Sequence, residues 1–224
     1  MITVVLVEPS TPGNIGAIAR VMKNFGFSQL LLVNPRCDHL TGEAMARAMH
    51  AADVLKKARK VSWSAVKKFP CVVGTTAKMG SEYNILRAPL SPAELAESLP
   101  KVKTALVFGR EDTGLTNEEV MDCDIVCTIP SQSKYTALNL SHAAAILLYE
   151  LRSRKKVIGE QVVYASAAEK KVMLQKVDAA LRKMDFSSPR LRETQRKVWK
   201  RVVGKSFLTK REAFALMGFL RKIR

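Results

Sequence analysis

Apolar, often β-branched residues gather into five short runs over the first two thirds of the chain: Ile2–Val7, Gln29–Val33, Cys71–Gly74, Thr104–Phe108 and Ile125–Ile129. A continuous apolar stretch of this length predicts a strand covered on both faces. Between the runs, apolar positions recur at helical spacing over Gly16–Phe25, Glu43–Ala58, Pro92–Leu99 and Asn117–Asp122. Strand alternating with helix predicts an α/β domain with a mostly parallel sheet of about five or six strands and helices on both faces.

Local chemistry marks several helix starts. Ser91-Pro92-Ala93-Glu94 and Thr116-Asn117-Glu118-Glu119 each set a hydroxyl at the cap and a carboxylate three residues on, which satisfies amide donors that the helix leaves open. A longer helix over Ala137–Arg152 carries the apolar run Ala143–Tyr149 and reads as buried on most sides. The pattern then changes. Arg152-Ser153-Arg154-Lys155-Lys156 is a basic run, and residues 153–163 read as a linker. Three helical patterns follow within 164–224, opened by Ser166/Glu169, Ser188-Pro189 and Thr209/Glu212. The division expected is therefore 1–152, a linker at 153–163 and a small all-α module at 164–224.

Charge sharpens that division. Residues 1–150 hold 16 Lys/Arg against 14 Asp/Glu, whereas 151–224 hold 21 against 6, so most of the net charge of +17 sits in one third of the chain. A cationic module of this kind suits nucleic acid or an anionic membrane surface. No apolar run approaches the ~20 residues of a bilayer span, and the start lacks the basic region of a signal peptide, so an intracellular, cytoplasmic protein is expected. Cys37, Cys71, Cys123 and Cys127 show no disulfide framework, and with His39, His50 and His142 they have no zinc-ligand spacing, so no metal is expected.

Three polar stretches interrupt the pattern at strand ends. Pro12-Gly13-Asn14-Ile15-Gly16-Ala17-Ile18-Ala19-Arg20 follows the first strand; Asn14 reads as a helix cap, with Arg20 projecting back toward it from the second turn. Phe108-Gly109-Arg110-Glu111-Asp112-Thr113-Gly114-Leu115-Thr116 superficially resembles a phosphate-binding GxxxxGK[ST] loop, but Leu115 holds the lysine position, which argues against a nucleoside triphosphatase. Ile129-Pro130 through Leu138-Asn139-Leu140-Ser141 joins the fifth run to the long helix. Capping accounts for one of Asn139 and Ser141 and leaves the other needing a partner.

Taken in order, these stretches resemble the three motifs of the SpoU class of SPOUT RNA methyltransferases, over about residues 1–152. Within that class, Val7-Glu8-Pro9 and the basic extension are similar to the TrmJ branch, which methylates the ribose 2′-hydroxyl of tRNA nucleotide 32. The resemblance implies a trefoil knot in the C-terminal part of the sheet, S-adenosylmethionine bound in that knot, and a homodimer joined through the knotted domain. It implies cofactor contacts from Thr75, Thr76, Ala77, Gly109, Ile129, Thr136, Ala137 and Leu138. It also implies catalytic positions at Asn14, Arg20, Glu111, Asn139 and Ser141. Ala137 stands where some relatives carry serine, so a mechanism that needs that hydroxyl does not transfer.

A guanidinium keeps its proton near neutrality, so Arg20 is expected to stabilise a developing alkoxide rather than act as a base, with Glu111 orienting it through a charge-assisted hydrogen bond. In the basic module, Arg192, Arg196, Lys197, Lys200 and Arg201 are expected to contact RNA phosphates, with Phe207 as a stacking surface and Trp199 either a second one or, more in keeping with its pattern, part of the module's own core. Three rival readings stand beside tRNA methylation: a ribosomal RNA methyltransferase, a knotted RNA-binding or assembly factor without catalysis, and a membrane-surface role for the basic tail.

Overall fold

A computed structural model describes residues 1–77, 89–99, 102–132, 137–153 and 163–223 of the chain. Its sheet has six parallel strands in the order β3-β2-β1-β5-β4-β6. They are β1 (Ile2–Val7), β2 (Leu30–Val33), β3 (Arg59–Val61), β4 (Cys71–Thr75), β5 (Thr104–Phe108) and β6 (Ile125–Cys127). The helices are α1 (Pro12–Asn24), α2 (Gly42–Ala48), α3 (Ala52–Lys56), α4 (Trp63–Val66), α5 (Pro92–Ser98), α6 (Asn117–Asp122) and α7 (Leu140–Ser153), followed by α8 (Ala167–Lys183), α9 (Pro189–Lys205) and α10 (Lys210–Leu220).

Both faces of the sheet are covered, because successive side chains of each strand point opposite ways. Val4 and Leu6 join the larger core with Ile15, Ile18 and Met22 of α1 and Leu147 and Leu148 of α7. Val5 and Val7 join the smaller one with Val66 of α4 and Cys123 beyond α6. Helices α1 and α2 approach so closely that a Cβ on Gly16 would stand 2.1 Å from the Ala44 carbonyl oxygen. Only glycine fits there.

Three features depart from the sequence pattern. Strand β3, Arg-Lys-Val, is an edge strand with two exposed cations, and it lacks the apolar run that marks the other five. The single helix expected over Glu43–Ala58 divides into α2, a 3₁₀ turn at Met49–Ala51 and α3; Met49 has a φ of +52°, a left-handed conformation that interrupts the helix. Helix α7 is less buried than expected, with Ile146 and Tyr149 facing outward. The expected knot falls on the chain following β4 and β6, where residues 78–88 and 133–136 lie outside the described residues, as does most of the expected linker, 154–162.

The C-terminal helices form a core of their own from Met173, Val177 and Leu181 of α8, Val203 of α9, and Ala213 and Met217 of α10, with Trp199 packed against it. This module rests on the end of the sheet where β4 and β6 begin. Lys170 Nζ donates to the Pro70 carbonyl at 3.3 Å, Lys200 meets Asp122 at 3.4 Å, and Phe207 packs against the larger core of the sheet domain.

Candidate functional site

The opposite end of the sheet, where the parallel strands finish, carries the three polar stretches. Cofactors and substrates collect at this end in open α/β sheets, since loops leaving the strands diverge there. At the end of β1 the backbone turns through Glu8 with a positive φ and enters α1. Thr11, and not Asn14, is the cap residue: Asn14 lies inside the first turn, its N–H donating to the Thr11 carbonyl at 3.1 Å. That placement leaves the Asn14 side chain free of capping duty.

Asn14 instead bridges the other two stretches. Its Nδ2 donates to Glu111 Oε1 at 3.3 Å, while its Oδ1 accepts from Asn139 Nδ2 at 3.1 Å. Asn139 opens α7, and its Oδ1 accepts from both the backbone N–H (2.8 Å) and the hydroxyl (2.7 Å) of Ser141. One amide thus caps a helix with its oxygen and reaches the neighbouring helix α1 with its nitrogen. Glu111 completes the chain, accepting from the N–H and hydroxyl of Ser10 (3.2 and 3.1 Å) and from the N–H of Thr11 (3.2 Å). Burial raises the pKa of Glu111, but the hydrogen bonds from its own backbone, Ser10, Asn14 and Thr11 outweigh burial and leave it below the usual carboxylate value.

Arg20 is not part of this chain. It stands exposed on α1, six residues beyond Asn14, or about 9 Å along the helix axis. The expected Glu111–Arg20 hydrogen bond is absent, because Glu111 faces Ser10, Thr11 and Asn14.

A second set of charges, which the sequence did not single out, fixes the Gly109–Thr116 loop. Arg110 bonds Glu119 through two nitrogens (2.9 and 3.2 Å), the Gly114 carbonyl at 3.2 Å and the carboxylate of Glu8. Arg36 holds the other oxygen of Glu8. The same Glu119 closes the Thr116 capping box, so one carboxylate anchors both the arginine and the start of α6. These bonds push the Arg110 pKa up and the Glu8 pKa down. Gly109 is required by the resulting tight loop: a Cβ there would stand 2.2 Å from the Gly114 carbonyl carbon.

Between the loop and α7 lies a cavity of about 280 Å³. Of the residues that the resemblance assigns to the cofactor, Thr75, Thr76, Ala77, Gly109, Ile129, Ala137 and Leu138 line it; Thr136 lies outside the described residues. Leu115, Asn117, Ala143 and Leu147 are among the other residues of its walls. Glu111 also borders it, so the cavity and the amide chain meet at that residue. Its walls combine apolar side chains such as Ile129, Leu138 and Leu147 with polar ones such as Thr75, Thr76 and Asp112, a lining that suits a flat heteroaromatic ring with a polar tail, and the residues present fit an adenosyl group.

The residues expected to meet RNA are placed less uniformly. Arg201 is buried, 6% exposed, and its guanidinium has no hydrogen-bond partner among the described residues. The side of α9 that carries it is turned to the sheet domain, where Gly204 touches the backbone of Asp124. Phe207 is likewise taken up by packing rather than available for stacking. Arg196 is tied to Asp178 and Glu193, and Lys200 to Asp122. Arg192 lies 5.9 Å from the Phe186 ring centroid, and Lys197 is half-buried.

No group of three or more His, Cys, Asp or Glu that could hold a metal occurs among the described residues, and none of their helices is long and apolar enough to cross a membrane.

Comparison with known proteins gives this geometry a context. The family model described as the SpoU rRNA Methylase family matches residues 1–149. A tRNA (cytidine-2′-O-)-methyltransferase TrmJ of Methanocaldococcus jannaschii is 37% identical over 225 residues, covering 97% of this chain and 97% of its own. The protein of the same description from Sulfolobus acidocaldarius is 33% identical, covering 99% of this chain and 93% of its own. The crystal structure of TrmJ from Z. mobilis ZM4 superposes with a TM-score of 0.73 at 26% identity, over 99% of this chain and 98% of that one. The matched region contains every segment that builds the cavity and the amide chain, and the archaeal likeness continues through the basic helices. This chain belongs to the SpoU rRNA Methylase family.

Proposed function

We propose that this protein methylates the 2′-hydroxyl of a ribose in tRNA, at nucleotide 32 of the anticodon loop, using S-adenosylmethionine, and that it does so as a cytoplasmic homodimer. The observation that carries the reading is the hydrogen-bonded chain Glu111–Asn14–Asn139–Ser141 bordering the strand-end cavity. Full-length likeness to tRNA methyltransferases supports tRNA as the substrate. The outward-facing Ile146 and Tyr149 of α7 support a partner on that face.

S-adenosylmethionine, held by Thr75, Thr76, Ala77, Gly109, Ile129, Thr136, Ala137 and Leu138, would supply an electrophilic methyl group whose positive charge disappears on transfer. The chain's own task is the hydroxyl, a weak nucleophile until its proton is lost. Asn14 and Asn139 orient it through side-chain amides whose positions are fixed by Glu111 and Ser141. Glu111 has its lone pairs engaged by Ser10, Thr11 and Asn14 and serves as an anchor rather than a base. Arg20, exposed on α1, pairs its guanidinium with the phosphate beside the target ribose and stabilises the alkoxide as the hydroxyl proton passes to solvent. On the module, Arg182, Arg190, Arg192 and Lys197 hold the RNA backbone, and Arg196 and Lys200 do so at the expense of their ion pairs.

Incubation with labelled S-adenosylmethionine and either unmodified tRNA or ribosomal RNA, followed by nuclease mapping, tests the reading. Label in an anticodon-loop ribose supports it; label in ribosomal RNA alone, or in neither, overturns it.

A further inference from the structure

The charge count places nearly all excess cations in the C-terminal module, yet the sheet domain has a concentrated basic surface of its own. Residues 54–77 contain six Lys or Arg and no Asp or Glu. Four of the cations, Lys56, Lys57, Arg59 and Lys60, occupy the end of α3 and the edge strand β3, and all four are exposed. Among the described residues none of the four lies within ion-pair distance of a carboxylate. The neighbouring Asp53 is held instead by Lys23 at 2.7 Å, and Lys67 by contrast pairs with Asp122 at 3.3 Å.

Position gives the cluster a direction. The sheet order β3-β2-β1 leads from this edge straight to β1, whose end delivers Ser10, Thr11 and Asn14 to the site. The loop after β2 passes Arg36 across the same end of the sheet to Glu8. The C-terminal module touches the sheet domain through β4, β6 and Asp122, on the other side of the sheet. Basic residues therefore stand at both edges of the sheet, at β3 and beside β6.

We infer that the α3–β3 edge is a second contact surface for the phosphate backbone of the RNA substrate, with Lys56, Lys57, Arg59 and Lys60 as its contacts. The inference rests on the RNA methyltransferase reading and extends the footprint onto the catalytic domain. Exposed cations of one sign, with no carboxylate committed to them, fit a polyanion, because each phosphate neutralised releases a condensed counterion and adds to affinity. Charges on an edge strand can also serve only to keep other strands from pairing with it. The two roles predict different behaviour.

The test is a full-length variant with all four residues replaced by Gln, titrated with tRNA at several salt concentrations beside the unmodified protein. The slope of log affinity against log salt should shrink by about two to three units, and affinity near 0.15 M salt should fall about tenfold or more. S-adenosylmethionine affinity, read by calorimetry, should not change. An unchanged slope overturns the inference, as does a variant that self-associates on sizing while keeping its tRNA affinity. If the unmodified protein methylates no tRNA, the functional reading fails; if it does so and the slopes coincide, only the second surface fails.

Discussion

Asn139 and Asn14 are 125 residues apart in the chain, and their side-chain amides meet at 3.1 Å. The contact ties the first turn of α1 to the start of α7, so the residues proposed to orient the ribose are positioned by two helices packed on the same face of the sheet. Each amide is also held at its other end, Asn14 by Glu111 and Asn139 by Ser141. Neither can turn without breaking a second bond.

Asn139→Asp should separate the two duties of that residue. Aspartate is as good a helix cap as asparagine, so α7 should keep its start and the melting temperature should stay close to that of the unmodified protein. The donor to Asn14 is lost, and the methylation rate should fall about 100-fold or more, the usual effect of removing one positioned donor. A rate within threefold of the unmodified protein would show that the amide bridge does not organise catalysis.

Glu111→Gln should be felt in stability as well as in rate. Four donors converge on the carboxylate, and glutamine would offer one acceptor oxygen while turning an NH₂ group toward them. The expected cost is about 1–3 kcal/mol. Because the pKa of Glu111 is lowered in the fold, its stabilisation is fully present above the ordinary glutamate value of about 4.3 and is lost as pH falls through the lower folded value. The acid limb of a stability–pH profile should therefore flatten in the variant, as denaturant titrations between pH 3 and pH 7 can measure.

How much of this was visible beforehand depended on whether a residue's role was local. The five apolar strands are marked by runs that must be buried on two faces, and the capping boxes at Ser91, Thr116, Ser166 and Thr209 are local chemistry written three residues apart. Strand β3 was hidden because an edge strand needs no apolar run, and the Glu8–Arg110–Glu119 cluster because its members come from three separate elements. The cavity residues could be named only through resemblance to a family, since nothing in Thr75 or Ile129 alone signals a pocket. Arg201 misled for the opposite reason: a cation in a basic helix reads as exposed unless the packing of that helix is known.

Arg20→Ala should leave the fold untouched. The side chain is exposed and makes no hydrogen bond among the described residues, so the change in stability should stay within about 0.5 kcal/mol. Turnover should be abolished while S-adenosylmethionine affinity measured by calorimetry is retained. Loss of cofactor binding together with turnover would place Arg20 in the wrong part of the site.

Arg110→Ala should instead act through the fold. Its guanidinium is 13% exposed and separates the carboxylates of Glu8 and Glu119, which would be left facing each other. A cost near the lower end of about 3–5 kcal/mol is expected, with S-adenosylmethionine affinity falling as the Gly109–Thr116 loop loosens. Thermal unfolding in the same buffer reads the first effect and calorimetry the second; a variant as stable as its parent would remove the loop's anchor from the account.

Arg201→Met tests whether the burial of α9 against the sheet domain or its basic character governs that position. The guanidinium is buried without a hydrogen-bond partner among the described residues, and burial pushes its pKa down. Its charge is thus a cost to the docked module. An apolar side chain of similar length keeps the packing against the Cys123–Asp124 turn and removes the cost, so stability should be unchanged or rise. Affinity for tRNA should stay within twofold, whereas Lys197→Ala, which leaves a more accessible phosphate partner missing, should weaken binding and reduce its salt dependence. If Arg201→Met weakened tRNA as much as Lys197→Ala, the helix would have to turn its Arg201 side toward the RNA, and the docking of the module through Lys170, Gly204 and Phe207 could not persist in the complex.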